Sequence, residues 1–416
     1  MKSARLIAVA FAFAVAPFTS LANGPKSPPY TRPGYVPNWE LSLSPAVTVR
    51  NRALIHTGQI YPSGKWLDPM IDGCGVTEGQ INGALNQLDA VLKEGGSSLV
   101  ESVKLNVYVP NEIYAEAAAY EIQNRFDGWP LPAVSFVATQ LPVPHARIAF
   151  DAVAPTKQPS HEVRRWMSTA QSSTGRPILE GKTSGAILPA GPRVYISGQA
   201  EKGTLLTATR KTMAELMKTL EHLGLSSRDV VQLKAFVTSI KAAPVVMKEI
   251  AAAFPGETSP PIILVEWQSS LPIEIELIAA SPVPKEPQDA PPLEFITPPW
   301  MKASPVFCRV VRVNHPATIF ISGLYGATDS PDSVEEVRDL YGSLRRIAEA
   351  SGSDLKHLAK ATYYVSTDEV SNQLNVVRPE FYDPERPPSA SKAKVRGTGR
   401  TGRTITLDMI AVPTGP

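Results

Sequence analysis

Three times along this chain a short apolar strand runs into a hydroxyl residue and a glycine. ALIHTGQ (53–59) holds Thr57, Gly58 and Gln59, RVYISGQ (193–199) holds Ser197, Gly198 and Gln199, and TIFISGL (318–324) holds Ser322 and Gly323 with Leu324 in place of Gln. Such self-similarity means that one supersecondary unit is written three times.

Each strand is followed by the same series of elements. An amphipathic helix comes first, marked by Ile81, Leu85, Leu88, Val91 and Leu92, then by Met213, Leu216, Leu220 and Leu223, then by Val337, Leu340, Leu344 and Ile347. Each helix ends at a glycine, Gly96, Gly224 or Gly352, suited to a left-handed cap. A strand with strict alternation follows: Val103, Leu105, Val107, Val109; Val231, Leu233, Ala235, Val237; Ala359, Ala361, Tyr363, Val365. A second helix and two closing strands complete a β-β-α-β-α-β-β unit. The other face of the alternating strand carries Tyr108, Phe236 and Tyr364, which a lone two-layer domain would leave in water.

Proline marks the boundaries. The chain has 40, concentrated in NGPKSPPYTRPGYVPNWE (23–40), PTKQPSHEVRRWMSTAQSSTGRP (155–177) and SPVPKEPQDAPPLEFITPP (281–299). The expected organisation is a signal segment 1–22, a Pro-rich segment 23–44, domains at 45–154, 183–282 and 303–413, and linkers at 155–182 and 283–302.

The ordered set, apolar-x-[ST]-G-Q, helix, Gly, strand, helix, Pro-led strand and a terminal strand such as IEIELIAA, resembles the RidA (YjgF) family, formerly called endoribonuclease L-PSP. The resemblance covers all three units and leaves only the leader and linkers outside. It implies an α+β fold, three tandem chorismate-mutase-like (RidA-like) domains forming an intramolecular pseudotrimer, hence a monomer. It also implies small-metabolite binding in the clefts between units, at Thr57, Gly58, Ser197, Gly198, Ser322 and Gly323.

Members of that family hydrolyse enamines or imines to a keto acid and ammonia. The resemblance assigns a carboxylate-clamping Arg to the Pro-led penultimate strand, where this chain reads Val134, Ile262 and Ser389, and a water-positioning Glu to the last strand, where it reads Ala149, Glu274 and Thr406. Only Glu274 survives as a catalytic candidate. Losing a bidentate clamp costs on the order of 10² to 10⁴ in transition-state stabilisation unless another cation substitutes. Arg147, Arg386, Arg396, Arg400 and Arg403 lie near the closing strands. The expectation is a diverged binder or hydrolase; a deaminase with a substitute Arg and a non-catalytic interaction module are the alternatives.

Composition narrows the partners. With 43% apolar and 19% charged residues and a formal net charge of +2, nothing favours a nucleic-acid partner. Lys2 and Arg5 precede the apolar run LIAVAFAFAVAPF and a small-x-small site at Ser20 to Ala22, the pattern of a secretory signal peptide. That run is shorter than the roughly 20 residues of a spanning helix, so the expectation is a periplasmic or secreted protein with no membrane contact after cleavage. In an oxidising compartment Cys74 and Cys308 form a candidate disulfide, though their separation favours two isolated small hydrophobes. No metal-ligand cluster, phosphate loop or G-x-S-x-G elbow occurs, so neither a cofactor nor a metal is expected.

Overall fold

The computed structural model describes residues 30–31, 43–62, 64–68, 75–169, 183–286, 289–326 and 334–415. The signal segment 1–22 and Cys74 lie outside these residues, and Cys308 is a buried free thiol. Among the described residues there are six α-helices and three six-stranded sheets, and no helix is long and apolar enough to cross a membrane.

The helices fall where the apolar periodicity puts them. In α1 (Val76–Glu94) Ile81, Leu85, Leu88, Val91 and Leu92 are fully buried, and α3 (Leu205–His222) and α5 (Val334–Ala350) bury the corresponding stripes. Burying one such side chain stabilises by about 1.5 to 3 kcal/mol. Gly96, Gly224 and Gly352 have φ of 82°, 72° and 76°, where a β-carbon would cost roughly 1–2 kcal/mol. The shorter α2 (Ile113–Arg125), α4 (Ala243–Ala252) and α6 (Asp368–Val377) cross over between parallel strands.

The sheets share one design. In the first, β4 (Lys104–Val109) lies parallel to β5 (Ala133–Ala138) and antiparallel to β6 (Ala149–Pro155). The second repeats this with β10 (Val230–Val237), β11 (Ile262–Glu266) and β12 (Ile273–Ala280), and the third with β16 (Leu358–Val365), β17 (Ser389–Lys394) and β18 (Ile405–Ala411). The strands ending in the hydroxyl-glycine motif, β3 (Leu54–Thr57), β9 (Arg193–Gln199) and β15 (Ala317–Leu324), pair next to β6, β12 and β18.

The outer strands depart from the expected organisation. The strand that opens each unit does not fold back on its successor; it pairs with the motif strand of the preceding sheet. Thus β8 (Gly185–Leu188) joins β3, β14 (Val310–Val313) joins β9, and β2 (Ala46–Arg50) joins β15. The strand orders are β5-β4-β6-β3-β8-β7, β11-β10-β12-β9-β14-β13 and β17-β16-β18-β15-β2-β1. Here β1 is Tyr30–Thr31, β7 Arg164–Trp166 and β13 Leu293–Ile296, so the three Pro-rich segments read as linkers each supply an edge strand. The boundaries 45–154, 183–282 and 303–413 therefore cut across sheets.

Local chemistry explains the exchange. The connections Pro189 to Pro192 and Asn314 to Pro316 are stiffened by proline, which fixes φ near −65° and extends the residue before it, with positive φ only at Gly191 in the first. The third connection, Asn51 to Ala53, has positive φ only at Asn51. Each strand consequently runs on into the next sheet. The host core accepts it: Ile187 packs with α1 and α2, Val310 among the second sheet's side chains, and Ala46 among the third's.

Two further apolar clusters draw on all three sheets. One gathers Val49, Leu54, Tyr195, Val311, Phe320 and Val412; the other holds Tyr108, Phe236 and Tyr364, none more than 1% exposed, with Trp267. The aromatic face of the alternating strands thus has its cover in the neighbouring sheets.

Candidate functional site

Each motif strand ends against the outermost parallel strand of another sheet. The end of β15 meets β5, the end of β9 meets β17, and the residues after β3 meet β11. These contacts bring together Ser322 and Gly323 with Val134, Ser197 and Gly198 with Ser389, and Thr57 and Gly58 with Ile262.

Hydrogen bonds knit the junctions. The Ser322 hydroxyl accepts from the Val134 amide at 2.7 Å and donates to the Ser44 carbonyl at 2.7 Å. The Ser197 hydroxyl accepts from the Ala390 amide at 2.8 Å and donates to the Cys308 carbonyl. In the remaining junction the Gln59 side chain does this work, donating to the Leu264 carbonyl at 3.1 Å and accepting from the Leu264 amide at 3.2 Å.

Register shows why the first junction differs. His56 stands opposite Val153, Tyr195 opposite Ile278 and Phe320 opposite Ile410, and each motif strand then carries one extra residue before pairing resumes at Ile60, Gln199 and Leu324. Gly58, not Thr57, is therefore the counterpart of Ser197 and Ser322. Their three amides donate alike, to Ser184, Arg309 and Pro45 carbonyls at 2.9 Å. Thr57 turns inward and accepts from the Ala152 amide at 2.9 Å.

The clamp positions are also adjusted by register. Val134 pairs with Leu105 and Ile262 with Leu233, but Ser389 pairs with Lys360; the third counterpart is Ala390, opposite Ala361. Val134 and Ile262 lie in the cores of their own sheets, and the Ser389 hydroxyl donates to the Ala359 carbonyl at 3.1 Å. None presents a cation. By contrast Ala149, Glu274 and Thr406 correspond as the sequence suggests, opposite Tyr108, Phe236 and Tyr364.

Glu274 is folded into the junction between the second and third sheets. A β-carbon on Gly198 would fall 1.9 Å from its Oε1, so the missing side chain makes room for the carboxyl. Burial and the neighbouring Glu276 push its pKa up to about 8, against the opposing pull of Ser391 and Lys392. It is consequently a proton donor at neutral pH.

A groove of about 410 Å³ opens where the first and third sheets meet, between α2 and the turn after β17, with Ala115, Ala119, Phe136, Tyr120, Glu116 and Arg400 on its walls. Gly399, with φ of 78°, lies so close to Phe136 that a β-carbon would be 2.3 Å from it. The Arg400 guanidinium sits 5.8 Å from the centre of the Tyr325 ring. Arg147 bonds Thr77, Arg396 the Pro110 carbonyl, and Arg386 stacks over Phe295.

A set of charged side chains, none of them a candidate site residue of the sequence motifs, lies between the sheets. Lys104, Lys234 and Lys360 meet Asp151, Glu276 and Asp408 between the three sheets. Lys104 lies 2.7 Å from Asp408 and Lys360 2.7 Å from Glu276, each pair joining two different sheets. Their signal was a charged residue in the middle of otherwise apolar strands. Among the described residues no three His, Cys, Asp or Glu side chains gather as a metal-ligand set.

Comparison with known proteins finds a match over part of the chain. Residues 177–281 match the family profile described as endoribonuclease L-PSP. Among solved structures the chain is similar to a YjgF-family protein from Neisseria meningitidis (20% identity, TM-score 0.23, covering 30% of this chain and 97% of that one). It is also similar to RidA from an Antarctic Psychrobacter (19%, 0.21, 23% and 79%) and to a putative endoribonuclease from Thermotoga maritima (24%, 0.21, 24% and 80%). No curated protein matches.

Proposed function

From a chain that carries a RidA (YjgF, endoribonuclease L-PSP) domain at 177–281, we propose an exported three-unit pseudotrimer that binds a small carboxylate metabolite and does not hydrolyse imines. One observation carries this reading: the groove cation and the family's carboxyl stand at different junctions. Arg400 lines the groove between the first and third sheets, where the last strand offers Thr406, while Glu274 occupies the junction between the second and third. A hydrolytic site needs substrate clamp and proton donor around one reacting centre, with atoms about 3–3.5 Å apart.

The groove has the size of a small-ligand site, and its apolar wall with the Arg400 guanidinium suits a ligand with an apolar body whose carboxylate lies at Arg400 and away from Glu116. Identical strand order in the three sheets and the clusters shared among them support closure within one chain. Export rests on the leader sequence and would show as a mature protein beginning after Ala22.

A thermal-shift and calorimetric titration with 2-oxobutyrate and benzoate tests the reading. Binding by the native chain, lost in Arg400→Ala, is expected, together with no faster keto-acid release from 2-iminopropionate than in buffer. Imine hydrolysis above that rate, or carboxylate binding unchanged by Arg400→Ala, would overturn it. A second reading, in which the neutral carboxyl of Glu274 donates a proton to an uncharged substrate, is favoured by its raised pKa beside Gly198 and Ser391.

A further inference from the structure

Where the three sheets face one another the buried charges enclose a chamber of about 40 Å³, separate from the groove. Its apolar end is built by Val153, Ile278, Phe320 and Ile410, and the rest of its wall is polar. Three ammonium groups oppose three carboxyl groups. The hydrogen-bond account of the wall does not close within the protein.

An ammonium has three donors. Lys104 donates to the Ser135 hydroxyl at 2.7 Å and the Ile321 carbonyl at 2.8 Å, and lies 2.7 Å from Asp408 Oδ1 as an ion pair without hydrogen-bond geometry. Lys360 uses two, on Glu276 at 2.7 Å and Thr362 at 2.8 Å. Lys234 makes one hydrogen bond, to the Tyr364 hydroxyl at 3.1 Å, with Glu276 farther off at 3.7 Å. Neither ring nitrogen of His56, a residue 2% exposed, nor Oδ1 of Asn106 makes a hydrogen bond of good geometry within the protein, the Gln232 side chain beside the His56 ring donating instead to the Thr57 carbonyl at 2.7 Å. Tyr195 and Phe320 take the place of His56 in the other two sheets, so the need for a partner is local to the first.

A buried polar group left unpaired is destabilising, and these spare groups include both donors and acceptors. A cation would face three lysines and an anion three carboxyls. Water satisfies both kinds of group, and each molecule needs only about 10–15 Å³ of such space. We infer that the chamber is a built site for about three or four ordered water molecules, bridging Lys234, His56 and Asn106 and shared by all three sheets. The site makes satisfaction of one sheet's polar groups conditional on the presence of the other two.

The test is a crystal structure of the full chain grown in sodium bromide, paired with oxygen-17 relaxation dispersion in solution. Expected are water peaks within hydrogen-bonding distance of a His56 ring nitrogen, Asn106 Oδ1 and Lys234 Nζ, no anomalous bromide peak in the chamber, and long-lived waters whose number falls in His56→Phe and in Asn106→Leu. Phenylalanine at position 56 reproduces what the third sheet carries, and the second variant stands if the first does not fold. A bromide peak in the chamber, a chamber without water peaks, or a long-lived water count unchanged in both variants would overturn the inference.

Discussion

The carboxyl of Glu274 occupies the space above Gly198 that any side chain at 198 would need, with 1.9 Å separating Oε1 from the position of a β-carbon. Gly198→Ala must therefore displace the carboxyl from between the second and third sheets. We expect a loss of about 1–3 kcal/mol in urea unfolding, the usual cost of overpacking. The Glu274→Gln background should recover little of it, since glutamine has the same shape.

The raised pKa of Glu274 sets a sign for pH dependence. Between the ordinary carboxyl value of 4.5 and about 8 the folded state keeps a proton that the unfolded state has lost. Stability contributed by this position therefore falls as pH rises through that window. Glu274→Gln removes the term, so the variant should gain on the native chain from pH 5 to 8 in parallel denaturation curves. A constant difference across that range would contradict the assignment.

The buried ion pairs predict the opposite slope on the acid side. Burial alone would raise the Glu276 and Asp408 carboxyls, but Lys360 and Lys234 outweigh it at Glu276, and Lys104 and Lys234 outweigh it at Asp408, holding both below the usual range. Their contribution is complete above the unfolded carboxyl pKa and is lost as pH falls through the depressed folded values. Acid unfolding should begin below about pH 4. Lys360→Met, which leaves Glu276 with Lys234 alone at 3.7 Å, should cost less at neutral pH than the ~3–5 kcal/mol of a buried pair broken outright.

The junction serines should act independently. Ser322→Ala leaves the Val134 amide and Ser44 carbonyl without their shared hydroxyl, and Ser197→Ala does the same to the Ala390 amide and Cys308 carbonyl. Each should cost about 1–3 kcal/mol. The double variant should show the sum, because the hydroxyls serve different junctions. Thr57→Val tests the register: its effect belongs to the core of the first sheet, so it should leave amide exchange at Ile262 to Leu264 unchanged.

Much of this fold was legible because period and burial are local properties. The stripe Ile81, Leu85, Leu88 and the alternation Val103, Leu105, Val107 state which face of an element is apolar, and Tyr108, Phe236 and Tyr364 stated that a second face also needed cover. Pairing partners were not legible, since alternation fixes the face of β2, β8 and β14 but not the edge to which each attaches. The same limit hid the offset of Thr57 against Ser197 and Ser322, because an extra residue in a strand moves the register without changing the motif. Arg400 could be named in advance as a cation near the closing strands, but its place at the groove depends on how the turn after β17 packs against α2.

The passing of β2, β8 and β14 from one sheet to the next laces the molecule like a belt whose tongue, the segment from 46 to 50, is tucked under its own far end. A protease that severs one connection would leave fragments still threaded together. Cleavage would then appear on a denaturing gel well before the hydrodynamic radius of the native particle changed.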